Sequence, residues 1–279
     1  MAIKNSLIEL LENNRGRYLS GEQIAMKLGV TRAAVWKNIK VLKEEGYKID
    51  AITNKGYMLS NMDDSISDTA IYNYLVNSDM RIEVYDEIDS TNKQIKIRSD
   101  EEEGLVIVAK SQTKGRARQG KQFFSPKDTG IYFSVLLKPK CKEKEAFIIA
   151  LMAGVAVCEA IHNVCKIMPT IKKINDICIG GKKICGILTQ ASFDLEDEST
   201  EYIALGIGIN MYPPDNGFPS DIMTAVGALY DERKGNIKNK LLASILDNIW
   251  EMYKNPDKDK ILSKYMEYNE NKEITISIS

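Results

Sequence analysis

Gly115-Arg116-Ala117-Arg118-Gln119-Gly120-Lys121 is a basic loop interrupted by glycines, and Asn175-Asp176 and Lys183 follow it about sixty residues later. Glycines let a ligand approach main-chain N–H groups, and arginine pairs bidentately with phosphate or carboxylate. The later segment adds a carboxamide, a carboxylate and an ammonium. Together these groups have the chemistry to hold a nucleotide and activate a carboxylate. Lys183, set against a carboxylate and an α-phosphate, would neutralise the charge that builds as an acyl adenylate forms. Gln112, just before the loop, offers both donor and acceptor to a urea or amide edge. Each feature alone has a plainer reading: a solvated basic turn, an exposed strand-edge lysine, and, for Asp89-Ser90-Thr91-Asn92, a simple helix cap. Gly206-Ile207-Gly208-Ile209-Asn210 removes side chains from a strand, as close ligand approach requires. It lacks the GxGxxG spacing and a following helix start, and the basic loop is not a Walker A motif, so Rossmann and P-loop chemistry are excluded. The single histidine, His162, excludes a His-rich metal site.

The elements that position these residues fall into two groups. At the N-terminus, Ile3, Leu7, Leu10 and Leu11 recur at helical spacing. Ser20-Gly21-Glu22-Gln23 reads as a capping box opening a helix that Gly29 stops. Thr31 caps a second helix, Arg32 to Glu45, with Val35, Ile39 and Leu42 inward and Arg32, Lys37, Asn38, Lys40 and Lys43 outward. A hairpin follows from Tyr47 to Leu59, turning at Thr53-Asn54-Lys55-Gly56. This is a winged helix-turn-helix, with Ser20, Thr31, Arg32, Lys37, Asn38 and Lys55 as candidate DNA contacts. Residues 1–60 hold ten Lys/Arg against six Asp/Glu in a chain of net charge −1, a modestly basic head on an acidic body. A helix-turn-helix serving protein contacts is the competing reading. The polar stretch 61–67 reads as a linker.

Residues 68–268 read as one α+β domain. Helices are expected near Asp68–Val76, from Asp89, over Glu145–Val164, Asn239–Tyr253 and Asp257–Tyr265. Strands are expected at Arg81–Ile88, Leu105–Ala109, Ile131–Leu137, Met168–Ile174, Ile177–Ile179, Lys183–Ser192 and Tyr202–Asn210, mostly antiparallel. The richest apolar run, Ala146–Val157, falls short of the ~20 residues a membrane span needs. The start of the chain carries no signal-peptide pattern, and the five cysteines form no CxxC pair. A cytoplasmic protein with free thiols and no membrane partner is expected.

Taken together, these motifs in this order resemble the bifunctional biotin protein ligases that also repress biotin genes. The resemblance runs from about Leu7 to the C-terminus. It implies a winged helix-turn-helix followed by a class II aminoacyl-synthetase-like ligase domain. It implies that Ser90, Thr91, Gln112, Gly115, Arg116, Ser134 and Lys183 surround biotin, with Gly186, Leu188 and Gly206 as its floor. Arg116, Arg118, Lys121, Asn175, Asp176 and Asn210 would hold ATP or the adenylate. Lys183 and Arg118 would be catalytic, and Asp176 a ligand for Mg²⁺. The implied partners are a biotin carboxyl carrier protein domain, operator DNA of biotin genes, and a second copy of the chain once the adenylate is bound.

The sequence departs from the family pattern at several points. Lys172-Lys173-Ile174-Asn175-Asp176 replaces Lys-Trp-Pro-Asn-Asp. Ala117 and Gln119 stand where Gly and Arg are usual, which points to altered loop geometry, and Phe123 stands in a Trp position. Residues 269–279 read as the first strand of a C-terminal β-barrel that is otherwise largely missing. That departure makes a weakly or non-catalytic biotin-sensing regulator the alternative function. A lipoyl ligase is a third reading, against which the winged head and the Arg116/Arg118 loop argue.

Overall fold

Leu7, Ile8 and Leu11 stack on one face of α1 (Ala2–Glu12) and pack with Ile24 of α2 (Gly21–Leu28) and Val35, Ile39 and Leu42 of α3 (Arg32–Glu44). Ile3, which shares their helical spacing, points outward at 41% exposure. The structure is a computed structural model describing residues 2–77, 79–194 and 199–270. Of the expected C-terminal strand, residues 269–279, positions 271–279 lie outside the described residues, while Asn269 bridges to Ile171. The chain divides into two units, Met1–Tyr74 with Arg233–Asn239, and Leu75–Glu232 with Lys240–Ser279.

In the first unit the helix boundaries follow local chemistry. Ser20 and Gln23 form a reciprocal capping box, Gly29 ends α2 in the left-handed region (φ 64°), and Thr31 Oγ1 accepts from Ala34 N at 3.2 Å. The wing pairs β1 (Ile49–Ile52) with β2 (Gly56–Leu59) antiparallel, and Leu19 adds a bridge to Tyr57. That third crossing requires Gly56. Its φ is 105°, and a Cβ there would fall 2.1 Å from the Leu19 carbonyl oxygen.

Residues 61–67 are not a free linker. Asp63 is fully buried and accepts from Lys48 N (3.0 Å) and Ser65 Oγ (2.9 Å). Arg15 binds Glu12 at 2.6 Å and donates to the Ser60 and Asp63 carbonyls, both at 2.9 Å. Asp64 accepts from the Ile237 and Lys238 amides (2.7 and 2.8 Å) at the start of α7 (Lys238–Lys254). The expected linker and the short α4 (Asp68–Tyr72), capped by Ser67, therefore belong to the first unit. Polar composition suggested a linker because nothing local shows that these carboxylates are needed to neutralise Arg15 and close a helix start.

The second unit is built on one seven-stranded sheet. Its strands are β3 (Arg81–Tyr85), β4 (Leu105–Ala109), β5 (Gly130–Leu137), β6 (Thr170–Lys173), β7 (Asp176–Ile179), β8 (Lys182–Phe193) and β9 (Thr200–Asn210), in the order β3-β4-β5-β9-β8-β7-β6. Only β3 and β4 run parallel. On one face α5 (Thr91–Ile97) seats Ile95 on Leu105, Ile107, Leu136 and Ala204. The helix α6 (Glu143–Ala160), extended by a π-turn through Cys165, packs against β6 to β9 and against α8 (Lys258–Tyr268).

The apolar run in this helix is longer than the sequence reading allowed. Ala146–Cys165 spans 20 residues with a window of mean hydropathy 1.9, so by composition alone it could cross a bilayer. Here 61% of that window is buried inside the protein, as befits a core helix. All five cysteines are free. Cys185 is fully buried, and loss of solvation pushes its thiol pKa well up, which makes it unreactive.

Gly56→Ala should destabilise the first unit by about 2 kcal/mol or more, because the left-handed backbone and the Leu19 contact both reject a Cβ. Thermal unfolding followed by circular dichroism tests this, and an unchanged transition would show that the wing tolerates repacking.

Candidate functional site

Antiparallel pairing sets Gly186 opposite Gly208 and Leu188 opposite Gly206, with β5 continuing the ladder from Gly208 to Tyr132 and from Gly206 to Ser134. Residues two apart share a sheet face, so the glycines form one bare patch. Other groups fill it. A Cβ on Gly206 would fall 1.9 Å from Asn92 Oδ1, one on Gly208 2.6 Å from the Phe123 ring, and one on Gly186 3.1 Å from that ring. The patch floors a cavity of about 300 Å³.

The start of α5 forms one wall. Ser90 occupies the N-cap position and is 2% exposed, yet its hydroxyl makes no capping hydrogen bond. Asp89 steadies this corner, accepting from Ser90 N at 2.7 Å, Gln94 Nε2 at 2.9 Å and Lys93 Nζ at 2.6 Å. The Lys93 and Gln94 hydrogen bonds hold its carboxyl down at about 2. Gln112 Oε1 accepts from Thr91 N at 2.8 Å, and its Nε2 donates to Ser125 Oγ at 2.9 Å. One amide N–H of Gln112 is left for a ligand.

The basic loop is a hairpin lying over the floor. Phe123 N donates to Gly115 O and Ala117 N to Lys121 O, with a bridge between Arg116 and Gln122. The turn passes through Gln119 (φ 57°) and Gly120 (φ 71°). Ala117 is extended (φ −130°), so its methyl costs nothing where the family has glycine. The local strain sits at Gln119, a non-glycine in the left-handed region. Phe123, edge-on to Tyr132 with centroids 6.2 Å apart, anchors the hairpin to the glycine patch.

The charged wall is a chain of contacts. Arg118 Nη1 donates to Asn175 Oδ1 at 2.9 Å, Asn175 Nδ2 to Asp176 Oδ1 at 3.1 Å, and Lys183 Nζ pairs with Asp176 Oδ1 at 2.6 Å. Strand alternation alone would put Lys183 on the face opposite Gly186. A bulge in the β7–β8 ladder, between Ile177 and Cys178, shifts the register by one. Lys183 then lies over Gly186, its Nζ 3.4 Å from where a Cβ would be. Five cations (Arg116, Arg118, Lys121, Lys173, Lys183) and one carboxylate (Asp176) line the cavity, a balance that favours a polyanionic ligand.

Of the residues expected around the ligands, Ser90, Thr91, Gln112, Arg116, Arg118, Lys121, Asn175, Asp176, Lys183, Gly186, Leu188 and Gly206 line this cavity. Gly115, Ser134 and Asn210 do not. Gly115 sits behind the hairpin, where a Cβ would meet the Phe123 carbonyl at 2.4 Å. Ser134 is wholly buried under α5, donating to Asn92 Oδ1 at 2.5 Å and lying 2.7 Å from Thr91 Oγ1. Asn210 donates to Gly227 O at 3.0 Å, and Gly227 in turn pairs with the Lys183 backbone. These three stand outside the cavity lining in this structure. The sequence reading missed Asn92, Phe123, Lys173 and Gly208 as lining groups. Asn92 ends the Ser90-Thr91-Asn92 run, and Gly208 repeats Gly206 at strand period, so both left a signal.

In the first unit Arg32, Lys37 and Lys55 are exposed, Lys55 with its ammonium 5.9 Å from the Tyr18 ring. Ser20 and Thr31 spend their oxygens on caps. Asn38, expected outward, is half-buried, and its amide nitrogen donates back to Ala34 O at 2.8 Å.

Residues 4–58 match an HTH domain, and residues 84–210 match the Biotin/lipoate A/B protein ligase family. The fold and site thus define a biotin/lipoate-type ligase carrying a helix-turn-helix. A biotin protein ligase from Aquifex aeolicus in complex with biotin and ATP superposes with a TM-score of 0.57 and 27% identity, covering 68% of this chain and 78% of that one. The chain is 34% identical over 250 residues to the bifunctional ligase/repressor BirA of Bacillus subtilis (strain 168), covering 86% of this chain and 76% of that protein. With BirA of Escherichia coli (strain K12) it shares 31% identity over 206 residues, 74% of this chain and 62% of that protein. The chain belongs to the BirA family of bifunctional ligase/repressors.

Gly206→Ala should cost about 1–3 kcal/mol of stability by overpacking against Asn92. In an Asn92→Ala background the same substitution should cost measurably less. Equal costs in the two backgrounds, read from denaturant unfolding, would show that Asn92 is not what the glycine accommodates.

Proposed function

We propose that this chain is an ATP-dependent biotin–[biotin carboxyl carrier protein] ligase that also acts as a biotin-responsive repressor of biotin genes. The observation that carries the catalytic half is the single cavity that joins a bare glycine floor to a cationic wall ending in Lys183. The floor and the Ser90/Thr91/Gln112 wall suit an uncharged ring system with an amide edge, the biotin head. The cationic wall suits the triphosphate of ATP.

In the first step a biotin carboxylate oxygen attacks the α-phosphorus of ATP, a P–O bond forms, and pyrophosphate leaves. Lys183, oriented by Asp176, donates to the carboxylate and to the phosphoryl oxygen where negative charge accumulates. Arg118 holds the hairpin closed through Asn175 and keeps water from the biotinyl-5′-AMP formed. In the second step the amine of a carrier lysine attacks the acyl carbon, an amide forms, a proton is lost and AMP departs. The clustering of Arg118 and Lys183 on one linked wall favours this over a non-catalytic sensor.

A Mg²⁺ ion would arrive with the triphosphate. Among the described residues no cluster of three or more His, Cys, Asp or Glu could hold a metal by itself. Asp176 as the one carboxylate in the cavity fits an ion that keeps its waters and phosphate oxygens. For repression, a single winged module reads only a short half-site, so the DNA-binding form is a homodimer, assembled once the adenylate is bound.

Incubated with biotin, MgATP and a carboxyl carrier domain, the purified chain should add one biotin to the carrier by intact-mass spectrometry. Lys183→Ala should lower the rate by about 10²–10³-fold or more while leaving the fold intact. A wild-type chain that releases no pyrophosphate in the presence of biotin would remove the catalytic reading.

A further inference from the structure

Trp36 is 61% exposed in the middle of α3, whereas the chain's only other tryptophan, Trp250, is 4% exposed. Its neighbours define the surface it occupies. Val35, Ile39 and Leu42 turn into the core, so Arg32, Trp36, Lys40 and Lys43 follow one another down the outward face at helical spacing. Arg32 and Lys37 make no ion pair among the described residues, and Lys40 holds only a loose, exposed contact with Glu44 at 3.9 Å. Asn38, a further polar group on this helix, has its amide nitrogen tied back to Ala34. The largest apolar group on the face is therefore exposed among cations.

A basic helix that follows a helix-turn has a polyanion as its electrostatic complement, and residues near its N-terminal half meet base edges in the major groove. Where lysine and arginine meet phosphates they supply affinity without sequence information, and on a base edge they read guanine. An indole has no charge to give a phosphate. What it can do in the major groove is cover the one apolar feature there, the thymine C5-methyl group.

We infer that Trp36 is a sequence-reading residue of the DNA-binding head, packing its indole on a thymine methyl at the centre of each half-site. This rests on the repressor reading and adds to it the base class that is read. Arg32, Lys37 and Lys40 then flank the indole on phosphates and set its register. Truncating Trp36 should erase discrimination and leave the phosphate-borne affinity in place.

The test uses the full-length protein with biotin and MgATP. Wild-type protein first enriches its preferred duplex from a randomised DNA pool. Binding is then measured on that duplex, on the same duplex with each thymine changed singly to deoxyuridine, and on unrelated DNA. At one symmetry-related thymine position, loss of the methyl should weaken wild-type binding about fourfold per contact. Trp36→Ala should bind the enriched duplex about 10- to 100-fold more weakly and be indifferent to that methyl. Its affinity for unrelated DNA and its salt slope should match wild type, while Lys37→Ala should weaken all duplexes alike. Being exposed, Trp36→Ala should melt as wild type does. Wild-type affinity for the enriched duplex in Trp36→Ala overturns the inference and leaves DNA binding standing. So does an equal deoxyuridine effect in both proteins, or a change only in self-association. A wild-type protein that enriches no sequence removes the repressor reading and this inference together.

Discussion

The second unit depends on a close approach: two neighbouring antiparallel strands carry no side chains where Asn92 and Phe123 come down onto the sheet. Gly206 admits Asn92, while Gly208 and Gly186 admit the Phe123 ring. Through Asn92 the start of α5 is fixed to β8, its amide donating to Leu188 O at 3.2 Å. Through Phe123 the basic hairpin is fixed across the same patch. Both walls of the cavity are thus positioned by what the floor lacks. A methyl at any of the three glycines would push a wall outward before it met any ligand.

The opposite wall depends on a register error built into the sheet. Strict alternation would bury or misdirect Lys183, and the bulge beside Cys178 returns its ammonium to the cavity face next to Asp176. The pair holds the Lys183 ammonium in one orientation on the cavity face. The first unit follows a similar logic, with Arg15 gathering Glu12, Ser60 and Asp63 around one guanidinium. Breaking a buried ion pair of this kind typically costs about 3–5 kcal/mol, so the strip after the wing is structural.

Much of the fold was legible because strong local signals coincide with it. The Leu105–Ala109 run is β4 at its expected limits, and the Ser20 capping box and the Gly29 stop bound α2 as read. The cavity's polar residues were legible as types: Gln112, Arg116, Arg118, Asn175, Asp176 and Lys183 all meet there. What stayed hidden depends on packing between distant segments. Ser134 and Asn210 look like site residues from their motif positions, but the helix above one and the Gly227 carbonyl beside the other claim their side chains. Phe123 was legible only as the residue in a Trp position, and the glycines beneath it show where its ring must go. Ala117 and Gln119 were both expected to alter the loop geometry; Ala117 is extended and fits without strain, whereas Gln119 carries the left-handed turn.

The central claim is that one cavity both makes and keeps an acyl adenylate. The direct measurement is to incubate the intact chain with biotin and MgATP, remove free ligand by gel filtration, and quantify the nucleotide that stays bound by mass spectrometry. The arrangement of hairpin, glycine floor and Lys183 predicts stoichiometric biotinyl-5′-AMP retained on the protein. Recovery of the protein with unreacted biotin, or with no ligand and no pyrophosphate released, would contradict it.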